Sequence, residues 1–275
     1  MLYLFIITTY CISWTLLYYA VAPDLVMFVP GLTAFFFMIV ERKSFFAIVH
    51  SLRLGSFRNL FLGFLISLSA FLLYISCAHL SLSCVFGLSE QALAYHGNSA
   101  FKAWISFFTI GFPSLFAVSL FFAFFEEIGW RGYLLKKINQ RYSMSILKKS
   151  SIVGLLWGLW HIPLYIISPT EPVRIVIFLC NVVLIAIPYT WLYEGEYSVW
   201  PTTIAHALHN TLFNVVLSAI TLHSSSSLWL YGEEGLLVTG VYSILIIIGF
   251  LVNKFIQADK TEFLLYTRVK NFVKN

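Results

Sequence analysis

Residues 104–137 read WISFFTIGFPSLFAVSLFFAFF followed by EEIGWRGYLLKK. The first part, 104–125, carries no charge and is long enough to cross a hydrocarbon core of about 30 Å as a helix. Two adjacent carboxylates, Glu126 and Glu127, follow at once. The basic pair Lys136-Lys137 marks where the chain reaches water. A membrane-spanning helix with ionisable groups inside its inner end is the simplest reading of this stretch, and the rest of the chain has the same character. Of its 275 residues 60% are hydrophobic and only 11% are charged, with 27 Phe, 15 Tyr and 8 Trp. A soluble globule of that composition would have no polar skin. Disorder, collagen and a disulfide-stapled secreted scaffold are excluded by the same figures.

Outward from this stretch, further apolar segments fall at approximately 2–22, 25–40, 59–80, 150–168, 174–193, 199–221 and 235–253. The expected fold is all-α: one polytopic integral membrane domain over 1–275 with about eight transmembrane helices. A helical bundle is preferred over a barrel because the apolar runs are continuous rather than alternating. The second segment is short and holds Pro30 and Gly31, so it is expected to be broken or tilted. Segment 2–22 ends in Ala20-Val21-Ala22, a cleavage-like string. Its start lacks Lys and Arg, and Pro23 would follow the cut, so 1–22 is expected to remain as a span. Cys11, Cys77, Cys84 and Cys180 form no C-x-x-C pair and are read as small core hydrophobes.

The net charge of +5 is loop charge and implies no nucleic-acid partner. Arg42, Lys43, Arg53 and Arg58 lie between spans two and three. Arg131, Lys136, Lys137, Arg141, Lys148 and Lys149 flank the loop between spans four and five. Lys254, Lys260, Arg268, Lys270 and Lys274 follow span eight. All but Lys102 and Arg174 of the 17 basic residues thus fall on one side. The positive-inside rule puts that side, and both termini, in the cytoplasm. Segment 81–103 is then an external loop with a short interfacial helix near 89–95. The tail 254–275 is expected to lie on the anionic inner leaflet. Glu194 and Glu196 form a short inner loop, solvated or guarding a cytoplasmic entrance. His50, His79, His96 and His223 sit in loops or at span ends and are given no role.

Ionisable groups inside spans are costly and mark function by default. Three clusters stand out. In Glu126-Glu127-Ile128-Gly129-Trp130-Arg131, Glu127 and Arg131 are i,i+4 and can pair. Glu126 points about 100° away and is left for chemistry. In Trp157-Gly158-Leu159-Trp160-His161-Ile162-Pro163, an apolar run carries His161 just ahead of a kinking proline. In His206-Ala207-Leu208-His209-Asn210, His206 and Asn210 share one helix face. Each cluster alone has a plain structural reading: interfacial glutamates balancing Arg131, a histidine bonded to a freed carbonyl, polar groups packing across helices. Their depths join them. From the nearest span ends, Glu126, His161 and His206 lie about 15, 17 and 11 Å inside the cytoplasmic boundary.

A glutamate with imidazoles at one level can activate water. In one version Glu126, His161 and His206 ligate Zn²⁺, which acidifies a bound water. In the other, metal-independent, Glu126 and His161 deprotonate water while His206 and Asn210 donate to the developing oxyanion. Either apparatus hydrolyses amides. No H-E-x-x-H, G-x-S-x-G, GxGD or P-loop suggests another hydrolase or an ATPase.

These three clusters resemble the motifs of the CAAX protease and bacteriocin-processing (CPBP, or Abi) family of intramembrane proteases, whose pattern is Glu-Glu-x-x-x-Arg, aromatic-x-x-x-His and His-x-x-x-Asn on separate helices. The extensions Gly132-Tyr133-Leu134-Leu135 and Ile162-Pro163-Leu164 look like bacterial members. Trp157 departs from the usual Phe and keeps an aromatic wall. The resemblance covers 104–221 as the catalytic core. It implies that Glu126 and His161 activate water, that His206 and Asn210 stabilise the oxyanion or help hold a metal, and that Glu127 and Arg131 orient the site. It further implies a multi-pass protein of the plasma membrane acting on a membrane-associated protein or peptide, in bacteriocin maturation or immunity. His209 lies outside the motif and is read as helix packing. Two rivals stand beside this reading: a non-catalytic immunity or scaffold protein of the same fold, and a proton-coupled transporter using Glu126, His161 and His206 as a relay. The transporter ranks last because no paired repeats or matching broken half-helices are present.

Overall fold

The computed structural model describes residues 1–19, 23–41, 52–80, 90–95, 98–168, 170–216, 232 and 234–272. Among them are eight helices longer than two turns: α1 (Leu2–Tyr18), α2 (Val29–Val40), α3 (Phe57–Leu80), α4 (Ala100–Arg141), α5 (Ile146–Ile167), α6 (Pro172–Glu196), α7 (Trp200–Asn210) and α8 (Leu236–Phe272). α7 continues as a π-helical stretch over Thr211–Val216, and short helices lie at Pro23–Val26 and Glu90–Tyr95, the second falling where an interfacial helix is expected. Each apolar segment of the sequence is helical over its described residues. Five of them are long and apolar enough to cross a membrane: α3, α4, α5, α6 and the Leu236–Lys254 part of α8. The chain is a membrane protein with an all-α bundle. Its outer surface shows large apolar side chains such as Phe36, Ile39, Phe121, Ile166 and Ile247, as a lipid-facing surface requires.

The second segment does break, ahead of Pro30: the chain turns at Met27–Phe28, and α2 carries the proline in its first turn, where no amide donor is needed. α1 is built into the bundle. Phe5 is fully buried against the rings of Phe37, Trp130 and Tyr133, and the Tyr10 hydroxyl donates to the Leu156 carbonyl. The cleavage-like string at 20–22 lies outside the described residues, as does Cys84. Cys11 and Cys180 correct the sequence reading: both are exposed on the outer surface, and only Cys77 is partly covered. In lipid a thiol gains nothing from the core that it does not find outside it.

Close helix crossings rest on glycine. A Cβ on Gly63 of α3 would sit 2.2 Å from the Pro201 carbonyl oxygen of α7, and one on Gly31 would sit 2.7 Å from the Phe125 carbonyl oxygen of α4. Small residues let backbones approach where no hydrophobic effect drives association. Polar bonds add to this between helices: Ser67 Oγ donates to the Ala205 carbonyl at 2.6 Å, and Asn59 Nδ2 to that of Leu192 at 2.9 Å.

The helices alternate in direction, so the bundle has two polar faces. On one, Glu41 of the α2 end accepts from Tyr133 at 2.9 Å and from Lys137 at 2.7 Å. On the same face Glu194 pairs with Lys149 and accepts from Asn139, while the Glu196 carboxylate accepts from Ser56 and its backbone carbonyl from Arg53. These two glutamates tie α6 to α4, α5 and the start of α3. On the opposite face Arg174 and Glu234 pair at 2.6 Å. α8 runs on helically past the expected end of its span at 253 to Phe272.

Candidate active site

Glu126 and Glu127 end the α-helical stretch Phe112–Glu127 of α4, and Ile128–Leu135 continues as π-helix with every residue buried before α-helix resumes at Lys136. Wider turns of this kind are rare and collect at functional sites. Here the turn brings Arg131 back over Glu127: Arg131 Nη1 donates to Glu127 Oε1 at 2.8 Å, both side chains wholly buried. The expected i,i+4 pair therefore forms. The same carboxylate oxygen accepts from His206 Nδ1 of α7 at 2.9 Å. The guanidinium lies over the Trp157 ring at 4.6 Å and near that of Tyr189 at 5.3 Å. Its charge is thus met by one carboxylate and two aromatic faces.

Glu126 points elsewhere, as the helical geometry predicts. Its Oε2 accepts from Trp157 Nε1 at 2.8 Å. Trp157 is also tied to His161, whose Nδ1 lies 2.9 Å from the Trp157 carbonyl oxygen. A carbonyl only accepts, so Nδ1 carries the proton and Nε2 is the nitrogen left for other work. α5 breaks at this point: its α-helix ends at Trp160, and a new one starts at Ile162 with Pro163 in its first turn. The bond from a histidine to a backbone carbonyl, one of the plain readings of His161, is present. It also fixes the ring.

Glu126, His161, His206 and Asn210 line one cavity of about 430 Å³, together with Trp157 and His209. Glu127 and Arg131 do not line it; they stand behind its floor and hold His206. Residues from α4, α5 and α7 are thus brought together as their shared depth suggests, with a division the sequence does not reveal. For a metal the arrangement is less suited: among the described residues no three His, Cys, Asp or Glu side chains stand close enough to share an ion. Glu126, His161 and His206 share the cavity without forming a ligand set.

Two residues of the cavity have contacts that the motifs do not reveal. Trp157 is more than a wall, because its indole N–H anchors Glu126. The available signal is its i,i+4 spacing to His161 in a side chain that carries a donor. His209 is buried between the Phe213 ring, stacked at 4.3 Å, and Tyr242 of α8, whose hydroxyl lies 2.9 Å from His209 Nδ1. That partner comes from a distant helix and has no local signature. Of the histidines given no role, His79 is exposed, and His50, His96 and His223 lie outside the described residues.

Known proteins share this part of the chain. A family described as Type II CAAX prenyl endopeptidase Rce1-like matches residues 108–212, which contain all the residues from Glu126 to Asn210. A curated relative, "CAAX prenyl protease 2" of Methanococcus maripaludis, is 31% identical over 189 residues, covering 66% of this chain and 64% of the relative.

Proposed function

We propose that the chain is a member of the CAAX prenyl protease family, to which its residues 108–212 and its curated relative are similar, and that it is an intramembrane endopeptidase, hydrolysing a peptide bond in a membrane-associated protein or peptide. One observation carries the reading: Glu126, His161, His206 and Asn210, from three helices, line a single cavity. A general base, a second base or acid, and two hydrogen-bond donors around one space are the parts that amide hydrolysis needs.

The chemistry follows from the side chains themselves. Glu126, held at Oε2 by Trp157, takes a proton from a water molecule with its other oxygen. His161 presents Nε2 to the same water and orients it. The hydroxide attacks the carbonyl carbon of the scissile bond, and its charge moves to the carbonyl oxygen. His206 Nε2–H and the Asn210 amide donate to that oxygen, while Glu127 balances the charge on His206. Glu126 then returns its proton to the leaving amine as the carbon–nitrogen bond breaks, giving a carboxylic acid and an amine. No step passes through a metal, because the candidate ligands are not drawn together as a set. Zn²⁺ would supply Lewis acidity if bound, and the zinc version is tested directly: cleavage that survives 1,10-phenanthroline and EDTA supports the metal-independent route, and cleavage lost to chelation and restored by zinc overturns it.

The endopeptidase reading is tested by mass spectrometry of new protein termini in host membranes, comparing wild type with Glu126→Ala at matched expression. Termini made only by the wild type are expected, and they name the substrate. Identical termini, with the cellular phenotype retained by the variant, favour the non-catalytic scaffold or immunity protein. A role in bacteriocin maturation or immunity rests on the family resemblance alone. It would be supported if the cleaved chain were a bacteriocin precursor or its processing partner.

A further inference from the structure

The break in α5 leaves backbone groups without their usual partners. In an unbroken helix the Trp157 carbonyl would accept from the His161 N–H, and the Trp160 carbonyl from the Leu164 N–H, each four residues on. Here both amides turn back by three. His161 N–H donates to the Gly158 carbonyl at 3.0 Å, and Leu164 N–H to the His161 carbonyl at 3.0 Å. Pro163 brings no N–H at all. The tighter turn has two results. The Trp157 carbonyl is released to the His161 ring, whose Nδ1 lies 2.9 Å away. The Trp160 carbonyl is released inside an apolar bundle, where an acceptor without a donor is costly.

Helix α1 meets the carbonyls on either side of this turn. Trp14 Nε1 donates to the Trp160 carbonyl at 3.3 Å, and the Tyr10 hydroxyl donates to the Leu156 carbonyl. Tyr10 and Trp14 stand one turn apart on α1, with ring centroids 5.3 Å apart. Leu156 and Trp160 stand one turn apart on α5. Trp157 and His161 are the same turn, one residue further on. Two donors of one helix thus hold two rungs of another, in register with the pair that anchors Glu126 and carries the His161 ring. The Trp160 ring itself stands edge-on to His161 at 4.7 Å. Trp14 is 41% exposed, on the outer surface of the bundle. Hydrocarbon offers its N–H no acceptor, and the inward bond satisfies the indole and the released carbonyl together. None of this lies in residues 108–212, the part shared with the family model.

We propose that Tyr10 and Trp14 are positioning residues for His161, acting through the broken turn of α5. The proposal rests on the endopeptidase reading for an effect on cleavage, but not for the coupling of α1 to the His161 ring. The two donors favour the tight turn over regular helix. Without them the Trp160 carbonyl recovers the Leu164 N–H, and the Trp157 carbonyl recovers the His161 N–H. The His161 ring then loses its acceptor. Its proton exchanges between Nδ1 and Nε2, and Nε2 is no longer held bare toward the attacking water.

Deleting the donors while keeping aromatic rings tests this. Tyr10→Phe, Trp14→Phe and the double variant are compared with wild type, with Tyr18→Phe, at the exposed end of α1, as control. Ring-¹⁵N histidine is observed by NMR in detergent micelles, and the His161 signals are identified by their loss in His161→Gln. In the wild type one His161 nitrogen is expected to be protonated and the other bare. In the double variant the two signals are expected to move toward a common average. Cleavage is read on a synthetic peptide spanning a terminus found in the host-membrane comparison. The double variant is expected to have a kcat about tenfold lower, with KM within about twofold. If it does not accumulate, each single variant carries the same comparison at about threefold in kcat. Tyr18→Phe is expected to change neither readout. Unchanged His161 signals in the double variant overturn the proposal, even if the thermal midpoint falls, because Tyr10 and Trp14 are then packing residues. Averaged signals with kcat unchanged overturn it too, and so does an equal response in Tyr18→Phe. If the wild type makes no terminus while the His161 signals still respond to Tyr10 and Trp14, the protease reading falls and the coupling of α1 to the ring stands.

Discussion

The two halves of the bundle on either side of the Glu126–Trp157–His206 level are packed in opposite ways. On the shut side Trp130, Tyr133, Leu134, Leu135, Tyr189 and Tyr193 are all but inaccessible, and Glu41, Glu194 and Glu196 at that face each have a cationic or polar partner. On the open side His161, Leu164, Tyr165 and Asn210 are only partly covered and surround the cavity. The boundary runs between two neighbours in sequence. Glu127 belongs to the shut half and Glu126 to the open one. A single peptide bond separates a carboxylate that pairs with Arg131 and His206 from one that lines the cavity, and the 100° step of the helix decides which is which.

The sharpest way to break this comparison is to exchange the consequences. Arg131→Ala removes the cation from a wholly buried pair and leaves Glu127 charged with only His206 against it. Breaking a buried pair from one side costs about 3–5 kcal/mol. A large fall in the thermal midpoint, or failure to accumulate in membranes, is expected. Glu126→Gln keeps an acceptor for Trp157 and leaves that midpoint within a degree or two, while cleavage is lost by about a thousandfold, within the range for removing a general base. Thermal unfolding in detergent, beside the terminus assay, reads both. A destabilised Glu126→Gln with a stable Arg131→Ala would put the boundary in the wrong place.

Trp157→Phe comes next in size and sharpens the comparison at its centre. Phenylalanine preserves most of the ring against Arg131 and His206 and deletes the donor to Glu126. A hydrogen bond to a charged group contributes about 1.5–3 kcal/mol. The expected result is a kcat lower by roughly ten- to a hundredfold with KM and the thermal midpoint nearly unchanged. Equal loss in KM and stability would make Trp157 a packing residue of the shut half instead.

Much of this was legible in the sequence because lipid leaves few options. A backbone that must satisfy its own hydrogen bonds makes each long apolar run helical, so all eight segments are helical over their described residues, with α8 running well past its expected end. The cost of burying charge likewise makes Glu126, Glu127, Arg131, His161 and His206 conspicuous. What stayed hidden depends on contacts between distant helices. That Glu127 serves His206 and that Trp157 serves Glu126 both follow from how α4, α5 and α7 face one another. No local period encodes that. The outward-facing cysteines were misread for a related reason: in a bilayer, apolar does not distinguish inside from outside.

The smallest expected effect concerns α8, which lies outside the region shared with the family model. Tyr242 reaches His209 with its hydroxyl, and His209 precedes Asn210, whose amide is one of the two donors assigned to the oxyanion. Tyr242→Phe keeps the ring beside His209, whose centroid is 5.7 Å away, and removes only the hydroxyl. A neutral hydrogen bond contributes about 1 kcal/mol, so kcat should fall about three- to fivefold with KM unchanged. His209 would still stack on Phe213, which limits how far Asn210 can move. If kcat does not move, the His209–Tyr242 contact is a joint of the bundle only. If it falls as far as in Trp157→Phe, then α8 sets the oxyanion donors as firmly as the indole sets the base, and the open half of the bundle includes a helix that none of the three motifs reaches.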